Sequence, residues 1–321
     1  LVGWSLADPA AHLWGVIAIG LVIAIASATQ DITIDALRIE QIGTDEGQAM
    51  AAGAAVAVVG WWTGYKLGGV VALNTAEVIQ SAGIEDYWQM TFLVLGLVVI
   101  ACNIALMFVP ELPPTDRAAA QSTDDQVIAS KLGFGGLTGH VVVWLVATVV
   151  GPLMSFFRRN GFAIAVAILG FIFLFKIGEA FLGRMSIVFY KEIGFSKSDI
   201  ALYSKGIGWV TTVVFTLLGG LFAIRIGLVR AMFLSGILMA VTNFMFSWLA
   251  WAGPLETLFA AAVLLDDLAA AFATVTFVAF ISMLVDRTYT ATQYALLASI
   301  GTAGRTSVSY THLTLPTSDL V

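Results

Sequence analysis

Residues 88–127 read WQMTFLVLGLVVIACNIALMFV followed by PELPPTDRAAAQSTDDQV, and the break between these two halves decides the fold. The first half carries no charge and has the roughly 20 apolar residues that a membrane-crossing helix needs. The second opens on Pro110, Pro113 and Pro114 and runs into the polar stretch Gln121 to Gln126, the composition of a linker. The whole chain follows the first half: 59% of its 321 residues are hydrophobic and 11% charged, with a mean hydropathy of +0.94. A soluble domain carries about a quarter charged residues, so a soluble globular protein, a disordered chain and a collagen-like or disulfide-rich secreted fold are all excluded. The single cysteine, Cys102, excludes a disulfide framework and a multi-cysteine zinc site. A net charge of −6 with no basic patch gives no footing for nucleic acid. What remains is an all-α polytopic membrane protein.

Working outward from residue 88, apolar runs of spanning length predict helices over about 11–30, 48–73 and 88–109 before the linker. After it they predict 161–189, 200–224, 229–250 and 257–284, and an eighth that begins near 291. The run 141–150 is too short to span, is interrupted by Gly151-Pro152 and is followed by Arg158-Arg159, so it reads as interfacial or re-entrant. Basic residues test this choice, because cytoplasmic loops collect them. With 141–150 outside the membrane, one side gathers Arg38, Arg117, Lys131, Arg158, Arg159, Arg225, Arg230 and Arg287, against only Lys191 and Lys197 on the other. If 141–150 spans, the tally becomes even. The first topology is the expected one, with 110–160 as a cytoplasmic loop. Both ends read as cut: residue 1 is Leu, and residues 308–317, VSYTHLTLPT, resemble the translation of a sequencing-library adapter. Residues 307–321 are therefore expected to be a non-native tail, leaving about seven complete helices and a truncated eighth.

An ionisable side chain at the bilayer centre costs about 2.5–3.5 kcal/mol on insertion scales, so each one asks for a reason. Lys176 and Glu179 stand mid-span at i, i+3, on one helix face. They read either as a self-neutralising structural pair or as coupling and substrate-contact groups. Asp266 and Asp267 lie about 14 Å, and Arg305 about 20 Å, into their helices at about 1.5 Å per residue. Neighbours on a helix are about 100° apart, so Asp266 and Asp267 cannot share one cavity equally; Asp267 is the one expected to face it. Lys66, Arg184 and Lys205 lie nearer the outer face, where the alternative is snorkelling to the interface. Gln30, Asp31 and Asp35 end the first span, with the carboxylates one turn apart; a simple helix end is the competing reading. His12 and His140 border interfaces, and Trp4, Trp14 and Trp88 read as an interfacial belt. No cofactor or metal site is expected, nor a nucleophile constellation, HExxH or Gly-x-Ser-x-Gly motif, which leaves a membrane enzyme or a channel as remote alternatives. The chemistry is that of a secondary transporter. A water-filled cavity between two helical groups would attract an anion to its basic side chains, while a carboxylate that loses its cation in low dielectric takes up a proton. The Ala/Gly-dense stretches 51–59 and 268–273 would let helices pack closely and slide.

Two helical groups joined by a long cytoplasmic loop resemble the layout of the major facilitator superfamily, whose halves are parallel repeats. That resemblance makes residues 1–109 the fourth to sixth helices of an N-terminal bundle, 110–160 the inter-bundle loop and 161–306 the seventh to eleventh helices. The stretch GGLFAIRIGLVR, 219–230, is similar to a degenerate form of the superfamily's loop motif at Gly220, Ala223, Arg225 and Gly227, with Ile224 at its acidic position.

Three further stretches resemble one branch, the AmpG-type muropeptide permeases. They are ASATQDITIDALRIE at 26–40, FFRRNG leading into FKIGEAF within 152–181, and TATQYALLASIGTAGR at 290–305. The resemblance implies proton-coupled import of anhydromuropeptides, anionic glycopeptides released by peptidoglycan turnover, across the bacterial inner membrane by a monomer. By position it implies roles for Gln30, Asp31, Asp35, Lys66, Lys176, Glu179 and Arg305. The more hydrophobic lead at 141–150 departs from the family's pattern. The broader family includes acetyl-CoA transporters, and the cations would suit acetyl-CoA phosphates as well as peptide carboxylates.

Overall fold

The computed structural model describes residues 2–6, 12–43, 46–110, 136–196 and 208–313, with side chains left out at 136–147, 181–184, 187, 208–209 and 308–313. Arg117, Lys131, Lys197 and Lys205 lie outside the described residues, as do the side chains of His140 and Arg184. Among the described residues every regular element is helical. In chain order these are α1 (Val2–Ser5), α2 (Leu13–Gln41), α3 (Gly47–Ser81), α4 (Tyr87–Leu106), α5 (Gly136–Asn160), α6 (Phe162–Phe175), α7 (Ile177–Ile193), α8 (Gly208–Ile226), α9 (Leu228–Ala252), α10 (Glu256–Leu284) and α11 (Thr290–Leu313). Six stretches are long and apolar enough to cross a membrane: α2, α3, α4, Phe162–Ala180, α9 and α10. Val210–Ile226 in α8 is a shorter apolar helix, and the start of the run expected there, 200–207, is not described.

Several elements differ from the sequence reading. Helices α2 and α3 run on to Gln41 and Ser81, past the expected ends at about 30 and 73, so Gln30, Asp31 and Asp35 lie within α2 rather than at its end. The run 161–189 is two helices, α6 and α7, with Lys176 as the turn residue between them. The run 141–150 is the first part of the 25-residue α5, which continues through Pro152 to Arg158, Arg159 and Asn160. Pro152 lacks an N–H and so leaves the carbonyl four residues earlier without its helical donor; the Pro152 carbonyl itself accepts from Gln293 Nε2 of α11 at 2.8 Å, and the residue is fully buried. At the other end, α11 continues to Leu313, through the first part of the stretch expected to be non-native.

Two compact units emerge, Leu1–Leu37 with Gly60–Pro113 and Arg38–Val59 with Pro114–Val321. The division differs from the expected one at residue 109, because 38–59 groups with the second unit. In the first unit α1 packs on α4: the Trp4 indole donates to the Val16 carbonyl at 3.0 Å, and its ring lies 5.4 Å from that of Phe92. Trp4, Trp88 and Phe92, with Glu85, Asp86 and Gln89, line a cavity of about 580 Å³.

The second unit is built around α10, in which Phe259, Ala269, Ala273 and Val275 are fully buried. Helix α9 packs on it through Ser235 and Thr276, whose hydroxyls are 3.1 Å apart. Helix α8 approaches at Gly219, where an added Cβ would come within 3.0 Å of Phe272. Gly220 lies against Ala55 of α3, 2.6 Å from where its Cβ would be. The small residues of 51–59 and 219–223 thus do in packing what their size allows. Gly227, at φ 87°, is the single residue that turns α8 into α9, a left-handed conformation that favours glycine.

Candidate functional site

The turn at Lys176 puts a cation where a continuous helix would carry backbone hydrogen bonds. Lys176 closes α6 and opens α7, and Glu179 stands in the first turn of α7, the end at which a helix dipole favours a carboxylate. Lys176 Nζ pairs with Glu179 Oε2. It also donates to Thr274 Oγ1 of α10 at 2.9 Å and lies 5.7 Å from the ring centroid of Phe277. Phe277 is stacked on Phe175 with the planes 4° apart. The two charged side chains are 12% and 23% exposed, so the pair is largely enclosed. An ion pair in such surroundings holds only with its remaining donors satisfied, and the hydroxyl and the ring meet that need.

Helix α11 closes this site through Gly301 and Gly304. A Cβ at Gly304 would overlap the Phe173 carbonyl oxygen, and one at Gly301 would come within 3.0 Å of the Phe277 ring. Glycine is required here for close approach, not for turning. Arg305 follows directly, on an exposed part of α11.

The other expected residues are distributed as follows. Thr211 Oγ1 of α8 donates to Asp267 Oδ2, and Thr242 Oγ1 of α9 to Asp266 Oδ1, each at 3.4 Å. The two carboxylates therefore face different neighbours, as the helical geometry requires. In the first unit, Gln30 Nε2 donates to Asn103 Oδ1 of α4 at 3.0 Å. Asp31 and Asp35 stand one turn apart within electrostatic reach of each other. Lys66 Nζ lies 5.3 Å from the centroid of Trp62, beside Trp61 and Tyr65, whose rings are stacked 6° from parallel. Lys176 and Glu179 are thus brought together in the second unit, while Gln30, Asp31, Asp35 and Lys66 belong to the first.

Sequence reasoning missed Thr274 and Asn103. Asn103 carried a usable signal, a polar amide deep in an otherwise apolar span. Thr274 carried a fainter one, a hydroxyl in the Ala-rich helix.

It also missed a polar cluster in the second unit, at the helix ends that carry Arg38, Arg159 and Arg287. Arg38 Nη2 donates to Ser282 Oγ at 3.1 Å and Arg159 Nη2 to the Leu284 carbonyl at 3.2 Å. Arg287 donates to the carbonyls of Ile39 and Ile42. These carbonyls stand at and just beyond the C-terminal end of α2, where a helix leaves acceptor capacity open. Between them Asp286 accepts from Ser155 Oγ at 2.6 Å and from the Thr288 N–H at 2.9 Å. Burial pushes the Asp286 carboxyl up, but the bonds from Ser155 and Thr288, with the nearby Arg159 charge, outweigh it and hold the group below its usual range. Three of the basic residues assigned to one membrane side by the sequence tally meet in this cluster.

The chain matches the model of the Major Facilitator Superfamily over residues 1–308. It is 31% identical over 299 residues to "Putative transporter AmpG 4" of Rickettsia conorii, covering 93% of this chain and 65% of the relative. It is 30% identical over 302 residues to the "Anhydromuropeptide permease" of Escherichia coli K12, covering 94% and 54%. An "Uncharacterized protein" of Haemophilus influenzae is 29% identical over 303 residues, covering 92% and 64%. The chain spans between about half and two thirds of the length of these relatives. Six membrane-length apolar helical stretches among the described residues and this match along nearly the whole length lead to one assignment: the chain belongs to the Major Facilitator Superfamily.

Proposed function

We propose that this gene encodes a proton-coupled secondary transporter that imports anhydromuropeptides across the bacterial inner membrane, acting as a monomer. In this reading residues 1–109 supply the fourth to sixth helices, 110–160 the cytoplasmic inter-bundle segment and 161–306 the seventh to eleventh helices. The observation that carries it is the Lys176–Glu179 pair, set at a helix break inside a membrane-length apolar stretch and anchored to α10 by Thr274. Such a pair is costly in a bilayer and is explained by use. The similarity to permeases of that substrate supports the choice of cargo.

The mechanism follows from charge balance. Glu179 takes up a proton from the outer side, the ion pair dissolves, and the ammonium of Lys176 becomes available to a carboxylate of the incoming peptide. Release of the proton on the cytoplasmic side restores the pair and expels the anion. Within the second unit Arg305 adds attraction for an anionic substrate and Asp267 a further carboxylate; within the first, Lys66 is assigned attraction for the anion and Gln30, Asp31 and Asp35 polar contact with water or substrate. Lys205 is assigned to the same path on the resemblance-independent ground of its depth in the sequence.

Uptake of labelled anhydromuropeptide by a permease-deficient strain carrying the complete gene tests this directly. Accumulation against a gradient is expected, and collapse of the proton gradient should abolish it. Glu179→Gln should lose proton-driven accumulation while keeping part of equilibrium exchange. Uptake at background level rejects the cargo, and acetyl-CoA uptake by the same protein would replace it. Unchanged accumulation in Glu179→Gln would make the pair structural.

A further inference from the structure

We propose that Thr274 is a positioning residue for Lys176: it keeps the ammonium on α10 when Glu179 takes up its proton, so protonation releases the Lys176–Glu179 contact and leaves the Lys176–α10 contact in place. This rests on the coupling role proposed for the pair above.

Lys176 has three N–H donors, and its described partners differ in kind. Glu179 lies three residues away, in the first turn of the helix that Lys176 itself opens. Thr274 lies 98 residues away on another helix, 2.9 Å from Nζ. The first partner is charged and titratable; the second is neutral and keeps its acceptor oxygen at any pH. While Glu179 is ionised, its bond to the ammonium, with both partners charged, is the stronger of the two; once it is neutral both contacts run from the ammonium to a neutral oxygen and Glu179 loses that advantage. Phe277, three residues after Thr274 and so on the same face of α10, adds its ring to that side of the ammonium.

No neighbouring group duplicates this role. Thr276 directs its hydroxyl to the Phe272 carbonyl and to Ser235 on the other side of α10. Asp266 and Asp267 lie about two turns away along α10, roughly 10–12 Å at 1.5 Å per residue, and accept from Thr242 and Thr211. Among the described residues, the charged and titratable groups facing the pair include Asp266 on α10, whose charge reaches Glu179, and Tyr190 on α7, which feels both Asp266 and Asp267; Arg305 follows Gly304 on α11. Among the described residues, the neutral anchor facing Lys176 from α10 is the Thr274 hydroxyl.

Reactivity of the Lys176 amine toward a small acylating reagent, read by mass spectrometry on the complete gene product in detergent without substrate, tests the anchor. Glu179→Gln stands in for the protonated state. The Glu179→Gln protein should keep Lys176 protected, whereas Glu179→Gln with Thr274→Val should label about ten-fold faster or more, the scale of one hydrogen bond to a charged group. Glu179→Gln with Thr274→Ser should return to the protected rate, which a packing role for the threonine methyl would not do. Equal rates in Glu179→Gln with and without Thr274→Val overturn the proposal, as does failure of serine to restore protection. Absence of substrate separates this result from the uptake experiment: a failure here leaves the cargo reading standing, and a failure of uptake leaves the anchor standing.

Discussion

The two compact units handle polar groups in opposite ways. In the second, Lys176, Glu179, Asp266 and Asp267 each meet a side chain, and three of the four reach a different helix. In the first, α2 solves its polar stretch mostly by itself, with Thr29 and Thr33 donating back to the Ile25 and Thr29 carbonyls one turn away. Gln30 of that stretch reaches across to Asn103 of α4. Burial separates the extremes: 39% of the most apolar window of α10 is buried and none of that of α2, while α4 and Phe162–Ala180 are equal at 11%. The lesson is that a membrane protein's hydropathy marks what must leave water, while only packing marks what is used. Exposed apolar faces such as those of α2, α4 and the outer side of α6 need lipid or other helices as cover, whereas much of α10 already has its own.

A pair of equal substitutions should break this comparison if it is wrong. Gly304→Ala forces a methyl into the backbone of α6 at Phe173, and overpacking of this kind costs about 1–3 kcal/mol. Gly64→Ala on α3 meets nothing within 4 Å, and exchanging glycine for alanine inside a helix gains about 0.5–1 kcal/mol. Thermal unfolding in detergent should therefore move down for the first and level or up for the second. A comparable loss at Gly64 would mean that the face of α3 is packed rather than open.

A smaller effect sharpens the same contrast by pH. Asp286, outside the spanning stretches, is held below its usual value of 3.8 by its hydrogen bonds. Its stabilising contribution is present in full above that value and is lost as pH falls through the lower, folded one. Wild type should thus lose stability on acidification from about pH 4 downward, and Asp286→Asn should flatten that limb. Identical acid limbs in the two proteins would show that the cluster around Arg287 does not depend on the carboxylate.

Much of this was legible beforehand, for definite reasons. Apolar runs of spanning length appear directly in composition, so α4, α9 and α10 coincide closely with the sequence runs, while α2 and α3 start where expected but run on to Gln41 and Ser81, and Phe162–Ala180 is the first part of the run 161–189. The i, i+3 spacing of Lys176 and Glu179 fixes their shared face on any helix, and it survives even though the helix breaks between 175 and 177. The break itself left no mark, since no proline stands there. Nor did Thr274, because spacing along one helix fixes only neighbours on that helix. The long α5 was hidden by Pro152, which reads as an interruption until its carbonyl is seen to be used by Gln293.

The central claim is that the Lys176–Glu179 pair faces water rather than lipid. In a Cys102→Ser background, which removes the chain's single cysteine, Glu179→Cys can be probed with a membrane-impermeant thiol reagent on vesicles of both orientations. Leu174→Cys, on an exposed apolar surface of α6, serves as the lipid-facing control. Position 179 should react from both sides and position 174 from neither; a silent position 179 would contradict the account.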